Sequence, residues 1–259
     1  MAEPQHIVPQ KKILITYVFF ETQRSIKNLN FFIKNGVFNN NNVQYNFIIK
    51  GNTCSVKFPK YKNIKVYAMK NEGRDFGGYS YSIQMINKNT FDYYIFLNDT
   101  VIGPFVPRYN SKNIWYENFI SLISDKVKLV GPTINRKEIN NIPEHVQSMV
   151  FGTDNVGLEL LIENNIFNLE KNIKINETKS KTEYIIIFEV GMSGIIIKNG
   201  YKIASFMQCD NYYKKMKHGD VHYTNWYFNM TLNPVEIMFI KNNRINDLIT
   251  KRYTYWNSF

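Results

Sequence analysis

A chain of 259 residues with 44% hydrophobic and 15% aromatic content is long enough to bury a substantial core and too apolar to be disordered. Its formal net charge of +11 points to an anionic partner, a class that spans nucleotide-sugars, anionic lipid surfaces and nucleic acid. Lysine and arginine are scattered among asparagine and isoleucine without a dense basic helix or an RNA-binding motif, so no nucleic-acid partner is expected.

No apolar run reaches the roughly 18 to 20 residues of a membrane span, and residues 1–10 lack the apolar core of a signal peptide. A soluble, cytoplasmic protein is the expectation. Cys54 and Cys209 lie far apart without metal-ligand spacing and read as reduced thiols.

Residues 13–20 form an uninterrupted apolar run, a buried first strand. Helical spacing at Ile26, Leu29 and Ile33 follows, with Gly36 as its stop, and residues 44–49 and 64–69 read as the second and third strands. The stretch 71–104 organises the rest. Its turn, residues 71–78, carries Gly73, Gly77 and Gly78 together with Asn71, Arg74 and Asp75, so the backbone can approach a ligand closely. Tyr79, Ile83 and Ile86 predict a helix whose free N–H groups point back at that turn and favour phosphate. Residues 93–97 then form a short buried strand that stops at Asn98-Asp99-Thr100. At a carboxyl strand end, Asp99 can hold a divalent cation against a pyrophosphate. The glycines match neither a Walker loop nor the dinucleotide fingerprint.

Beyond residue 107, a helix over 115–125 and a strand over 128–131 read as scaffold. His145 and Gln147, within 143–151, can line an acceptor groove, and Asp154 has the position of an N-cap before Leu158, Leu161 and Ile162. Ser180 to Glu183 form a capping box, and Gly200 is a stop, predicting one helix of about 20 residues before a strand at 201–206. Inside that helix Glu189 has Ile185, Phe188, Val190 and Met192 as neighbours, and has to find donors or give up its charge. The run 218–222 alternates His218, Asp220 and His222, which can face one way if extended. Residues 234–240 read as a last strand, followed by Lys241 and Arg244, cations able to meet a leaving pyrophosphate. The aromatic, basic tail 253–259 either docks on the core or makes a peripheral membrane contact through a lipid-linked acceptor.

The runs NEGRDFGGY, FLNDTVIGP, HVQSMVFGTD, EVGMSG with KNGYKI, and PVEIMFIKNNR resemble nucleotide-sugar glycosyltransferases of the GT-A type. They are most similar to a polysaccharide group related to rhamnan-synthesis proteins of bacteria, fungi and large DNA viruses. The resemblance covers residues 12–244 and implies an α/β, Rossmann-like fold with a mixed, mostly parallel sheet flanked by helices. It implies a tail over 1–11 and a single domain over 12–259, divided into a donor half (12–106), an acceptor half (107–244) and a C-terminal tail (245–259). It further implies a UDP-, GDP- or TDP-linked sugar donor, a saccharide acceptor in glycan synthesis, and the host cytoplasm if the source is viral.

By the same resemblance Thr16 and Tyr17 contact the nucleotide, and Asn98-Asp99-Thr100 stands where the family carries Asp-x-Asp. Mn2+ or Mg2+ would be held by Asp99, with Asp220 and His222 either completing the site or contacting the donor diphosphate. Glu189 occupies the place of the inverting general base. Only one carboxylate survives of the Asp-x-Asp pair, so the competing expectation is a catalytically silent sugar-nucleotide or glycan binding module.

Overall fold

In this computed structural model, residues 11–107, 114–135, 142–207, 220–245 and 247–256 are described. The first half alternates as the apolar runs require: β1 (Ile13–Phe20), α1 (Gln23–Gly36), β2 (Val43–Lys50), β3 (Ile64–Met69), α2 (Arg74–Gln84) and β4 (Tyr93–Asn98). The second half comprises α3 (Trp115–Leu122), β5 (Val127–Gly131), a small hairpin of β6 (Ile134–Asn135) and β7 (His145–Val146), β8 (Val150–Asp154), α4 (Asn155–Glu163) and α5 (Leu169–Thr178). Next come α6 (Lys181–Ile185), a π-helical turn (Ile186–Val190), α7 (Gly191–Lys198), β9 (Lys202–Ser205), α8 (Pro234–Ile237) and α9 (Asp247–Trp256).

Seven strands form one sheet in the order β3-β2-β1-β4-β8-β5-β9, parallel throughout except β8, which runs antiparallel to β4 and β5. This is the mixed, mostly parallel α/β sheet expected. Strand residues alternate between two cores, because successive side chains leave a strand on opposite faces. Ile13, Ile15, Tyr17 and Phe19 meet α1 and α3 on one face. Leu14 and Val18 meet α2, α4 and the α6–α7 region on the other. Both faces are covered, which explains why β1 and β4 read as unbroken apolar runs. A third cluster joins Phe31, Ile102 and Phe105 to Val221, Tyr227 and Ile237, with Ile249 and Tyr253 of α9 packed on it. That tail segment therefore docks on the core. No described helix is long and apolar enough to cross a membrane. Residues 1–10, Cys209, His218 and 257–259 lie outside the described residues, while Cys54 is an exposed free thiol.

Several expectations need correction. Residues 234–240 are not a strand: Asn233 caps the Val235 N–H, Pro234 occupies the first helical turn, and Met238 at φ 60° ends the helix after Ile237. Only Ile240 pairs, in a bridge with Ile102. The long helix after Ser180 exists but is interrupted by the π turn that carries Glu189. The helix at 115 ends at Leu122. Ile86 lies beyond α2, and Gly36 is the last helical residue of α1, held by tight packing: a Cβ there would lie 2.9 Å from the Phe32 ring and from Pro104.

Gly77 and Gly78 belong to α2 itself and let the helix sit directly on β1. A Cβ on Gly78 would come within 2.6 and 2.7 Å of the two methyl carbons of buried Val18. Alanine in a helix gains about 1 kcal/mol over glycine, whereas overpacking a rigid core costs about 1 to 3 kcal/mol, so the clash wins. Gly78→Ala is expected to lower the urea unfolding midpoint; an unchanged or raised midpoint would contradict this packing.

Candidate active site

The parallel strands end level with one another. Phe20 faces Lys50 across β1 and β2, and Val18 faces Asn98 across β1 and β4, so the ends of three strands, two of them polar at Lys50 and Asn98, meet at one edge of the sheet. In open α/β sheets this carboxyl edge is where ligands bind. A cleft of about 570 Å3 opens there. Its lining comes from the strand ends, the start of α2, β7 with the residues after it, and the π turn.

The strand-end side chains are tied into the backbone around them. Asn98 is buried; its Nδ2 donates to Asp75 Oδ2 at 2.8 Å, and its Oδ1 accepts from Thr100 N at 3.0 Å and Thr100 Oγ1 at 2.5 Å. Asp99 Oδ2 accepts the Phe20 N–H at 2.6 Å, while its carbonyl accepts from Asn28 Nδ2 at 2.8 Å. Asn28 Oδ1 in turn accepts from Asn242 Nδ2 at 2.8 Å. Together with the Ile102–Ile240 bridge and the Phe105 N–H to Met238 carbonyl bond at 2.9 Å, this pins the segment after α8 over the cleft. Lys241 and Arg244 line the cleft as a result.

Glu189 lines the same cleft as Asp99. The Ser148 N–H donates to its Oε2 at 2.8 Å, and the Ser148 hydroxyl bonds the same oxygen. Glu189 Oε1 lies 3.8 Å from His145 Nε2. His145 Nδ1 bonds the Pro143 carbonyl at 2.8 Å; a carbonyl only accepts, so Nδ1 carries a proton and Nε2 faces the glutamate. The π turn shifts the phase of Glu189 relative to α7 by about 100°, one residue's rotation, and turns of this kind recur at functional sites. With one oxygen held and the other toward the cleft, this carboxylate can receive a proton from a hydroxyl.

Asn71, Arg74, Asp75, Asn98, Asp99, His145, Gln147, Glu189 and Asp220 all line this one cleft. Thr16 and Tyr17 do not. Thr16 Oγ1 is 2.7 Å from Ser82 Oγ, which also accepts from Asn46 Nδ2 at 3.0 Å, in a closed polar contact beneath α2. Tyr17 points to the other face of the sheet, between Phe32 and Phe47. Gly73 supplies conformation, with φ 66° at the N-cap of α2 and its carbonyl accepting from the Tyr184 hydroxyl at 2.7 Å.

The expected metal trio does not assemble. His222 is fully buried with Nε2 3.1 Å from Thr133 Oγ1, and burial pushes its pKa well below the ordinary histidine value. Asp220 pairs with Arg244 and accepts the His222 N–H. Among the described residues no three His, Cys, Asp or Glu side chains converge as metal ligands. The described residues therefore do not by themselves supply a three-ligand metal site.

Lys50 was missed in the sequence. It ends β2 as Asn98 ends β4, a polar stop after an apolar run, so the signal was present. Its side chain is buried, and Nζ donates to the Arg74 carbonyl at 2.6 Å, holding a residue whose φ of 44° is left-handed. Ser148, which orients Glu189, had no sequence signature.

Burial dominates the electrostatics. It pushes the Asp99 carboxyl up to about 7, opposed by the Phe20 N–H and Lys50 and reinforced by Asp75. Burial also raises Asp75, against the pull of Lys50 and Lys241, and lowers Lys50 to about 8 against Asp75, Asp99 and Glu72. A carboxyl raised on folding makes the native state hold an extra proton between the ordinary carboxyl range and about pH 7, so stability falls as pH rises through that window. Lysine lowered on folding acts in the other sense, and stability is regained from about pH 8 toward the ordinary lysine range. Asp99→Asn keeps an acceptor for Phe20 and removes the charge. It should flatten the decline of melting temperature between about pH 4 and 7; a decline parallel to the wild type would contradict the assignment.

No family model and no curated protein matches this chain. Among solved structures, it is similar to a mannosyltransferase from Pyrobaculum calidifontis in complex with GDP-Man and Mn2+, at 7% identity and a TM-score of 0.46 over 76% of this chain. The match spans 55% of that protein, so the chain covers about half of its length. It is also similar to a glycosyltransferase involved in glycosylation of the major capsid of PBCV-1, at 13% identity and a TM-score of 0.45, over 96% of this chain and 100% of that one. At such identities the likeness is one of fold.

Proposed function

We propose that the protein is a glycosyltransferase that moves a sugar from a nucleoside diphosphate sugar to a saccharide hydroxyl in glycan synthesis. The observation that carries this reading is the presence, in one cleft, of the Asp75–Asn98–Asp99 strand-end cluster and the oriented Glu189, with Lys241 and Arg244 in the same lining. The donor diphosphate lies at the carboxyl edge of the sheet, near the positive end of α2. Lys241 and Arg244 neutralise the charge that grows on the departing diphosphate.

Transfer needs one proton removed and one bond exchanged. The acceptor hydroxyl gives its proton to Glu189, its oxygen bonds the anomeric carbon, and the carbon–oxygen bond to the diphosphate breaks with the electron pair leaving on the nucleoside diphosphate. A base on the face opposite the leaving group makes the transfer inverting. His145 and Gln147 lie beside Glu189 and orient the acceptor.

The failure of Asp99, Asp220 and His222 to converge favours a second reading, a binding module without transfer. The two readings separate in a panel of UDP-, GDP- and TDP-sugars assayed for nucleoside diphosphate release with and without Mn2+. Turnover is expected, and Glu189→Gln should lower it by about a hundredfold to ten-thousandfold while leaving donor affinity unchanged. Binding without release would establish the module; Glu189→Gln with wild-type turnover would remove the base from its role.

A further inference from the structure

The charges of the donor wall show how a diphosphate is neutralised there. Five cations line the cleft: Lys50 from the end of β2, Arg74 from the start of α2, Lys181 from the start of α6, and Lys241 and Arg244 from the segment pinned over it. Arg244 is engaged by Asp220. Lys50 and Lys241 form no ion pair among the described residues. Lys50 is 4% exposed, and its only hydrogen bond among the described residues uses one of the three N–H donors of the ammonium. Anionic oxygens of a ligand in the cleft can form charge-assisted hydrogen bonds with this ammonium.

The carboxylates act on these lysines electrostatically without forming an ion pair with them among the described residues. Asp99 gives Oδ2 to the Phe20 N–H and Asp75 gives Oδ2 to Asn98, so each is already held by a neutral donor. No third carboxylate or imidazole joins them among the described residues. The wall offers fixed protein cations where a divalent ion would otherwise bridge protein and diphosphate.

Resting on the glycosyltransferase reading, we infer that Lys50 and Lys241, assisted by Arg244, neutralise the donor diphosphate themselves, so that nucleoside diphosphate binding does not require a divalent cation. Lys50 is then a ligand-binding residue. Its bond to the Arg74 carbonyl also links the ligand to the left-handed turn that starts α2, and occupancy of the cleft stiffens that turn.

Isothermal titration of the full chain with UDP and with GDP, in EDTA and in Mn2+, tests this. Dissociation constants in the two buffers should agree within about threefold, and Lys241→Met should weaken binding in EDTA by about tenfold or more, the range of a lost charge-assisted contact. Lys50→Met should do the same, with its thermal melt and circular dichroism recorded to show that it folds; Lys241 is half-buried, so its variant carries the test if Lys50→Met does not fold. Binding seen only with Mn2+, or variants that bind as the wild type does, would overturn the inference while leaving the glycosyltransferase reading intact. No binding in either buffer would instead overturn that reading, and the inference with it.

Discussion

Asn98 ends β4 buried and Asp99 follows it half-buried at the cleft, and the site is built on the bonds that hold them. The Asn98 amide spans Asp75 and Thr100, joining α2 to the loop beyond β4. Asp99 uses its carboxylate on the end of β1 and its carbonyl on Asn28, and Asn28 holds Asn242. One strand terminus thus fixes α1, α2 and the segment bearing Lys241 relative to each other. Buried polar networks of this kind hold position well when every member is satisfied, and each lost partner is expensive because the local dielectric is low.

The charges left over are the functional part. Burial keeps Asp99 and Lys50 away from their ordinary titration ranges, so the folded chain retains electrostatic free energy that a ligand can release. Glu189 differs in being held at the cleft wall by Ser148 donors, with the π turn setting its direction. In the proposed reading, the cations of the cleft would neutralise charge on the leaving side of a sugar transfer and the oriented carboxylate would act as base on the attacking side.

Much of this was legible from residue pattern. Strands buried on both faces must be continuous apolar runs, so β1, β2 and β4 announced themselves, and the polar stop at Asn98-Asp99 marked the carboxyl edge that lines the cleft. The other half resisted for physical reasons. β8 is short and contains Gly152 and Thr153, so its place between β4 and β5 depends on tertiary pairing and not on local pattern. Residues 234–240 have strand-like composition, but Asn233-Pro234 is a helix start, and capping chemistry overrode apolar content. Gly77 and Gly78 looked like a ligand cradle because close helix–strand packing and close ligand approach demand the same residue. The alternation of Asp220 and His222 gave no hint that the histidine turns inward to Thr133, since burial of a single side chain leaves no periodic trace.

The central claim is that the edge formed by β1, β2 and β4 seats a nucleoside diphosphate sugar with its anomeric carbon toward Glu189. A crystal structure of the chain with a non-transferable donor analogue tests it directly. The account predicts the diphosphate between the Asp75–Asp99 cluster and Lys241, with the sugar facing Glu189. Density for the analogue elsewhere, for example in the groove between α3 and α8 lined by Asn118 and Glu236, with the strand-end cleft empty, would contradict it.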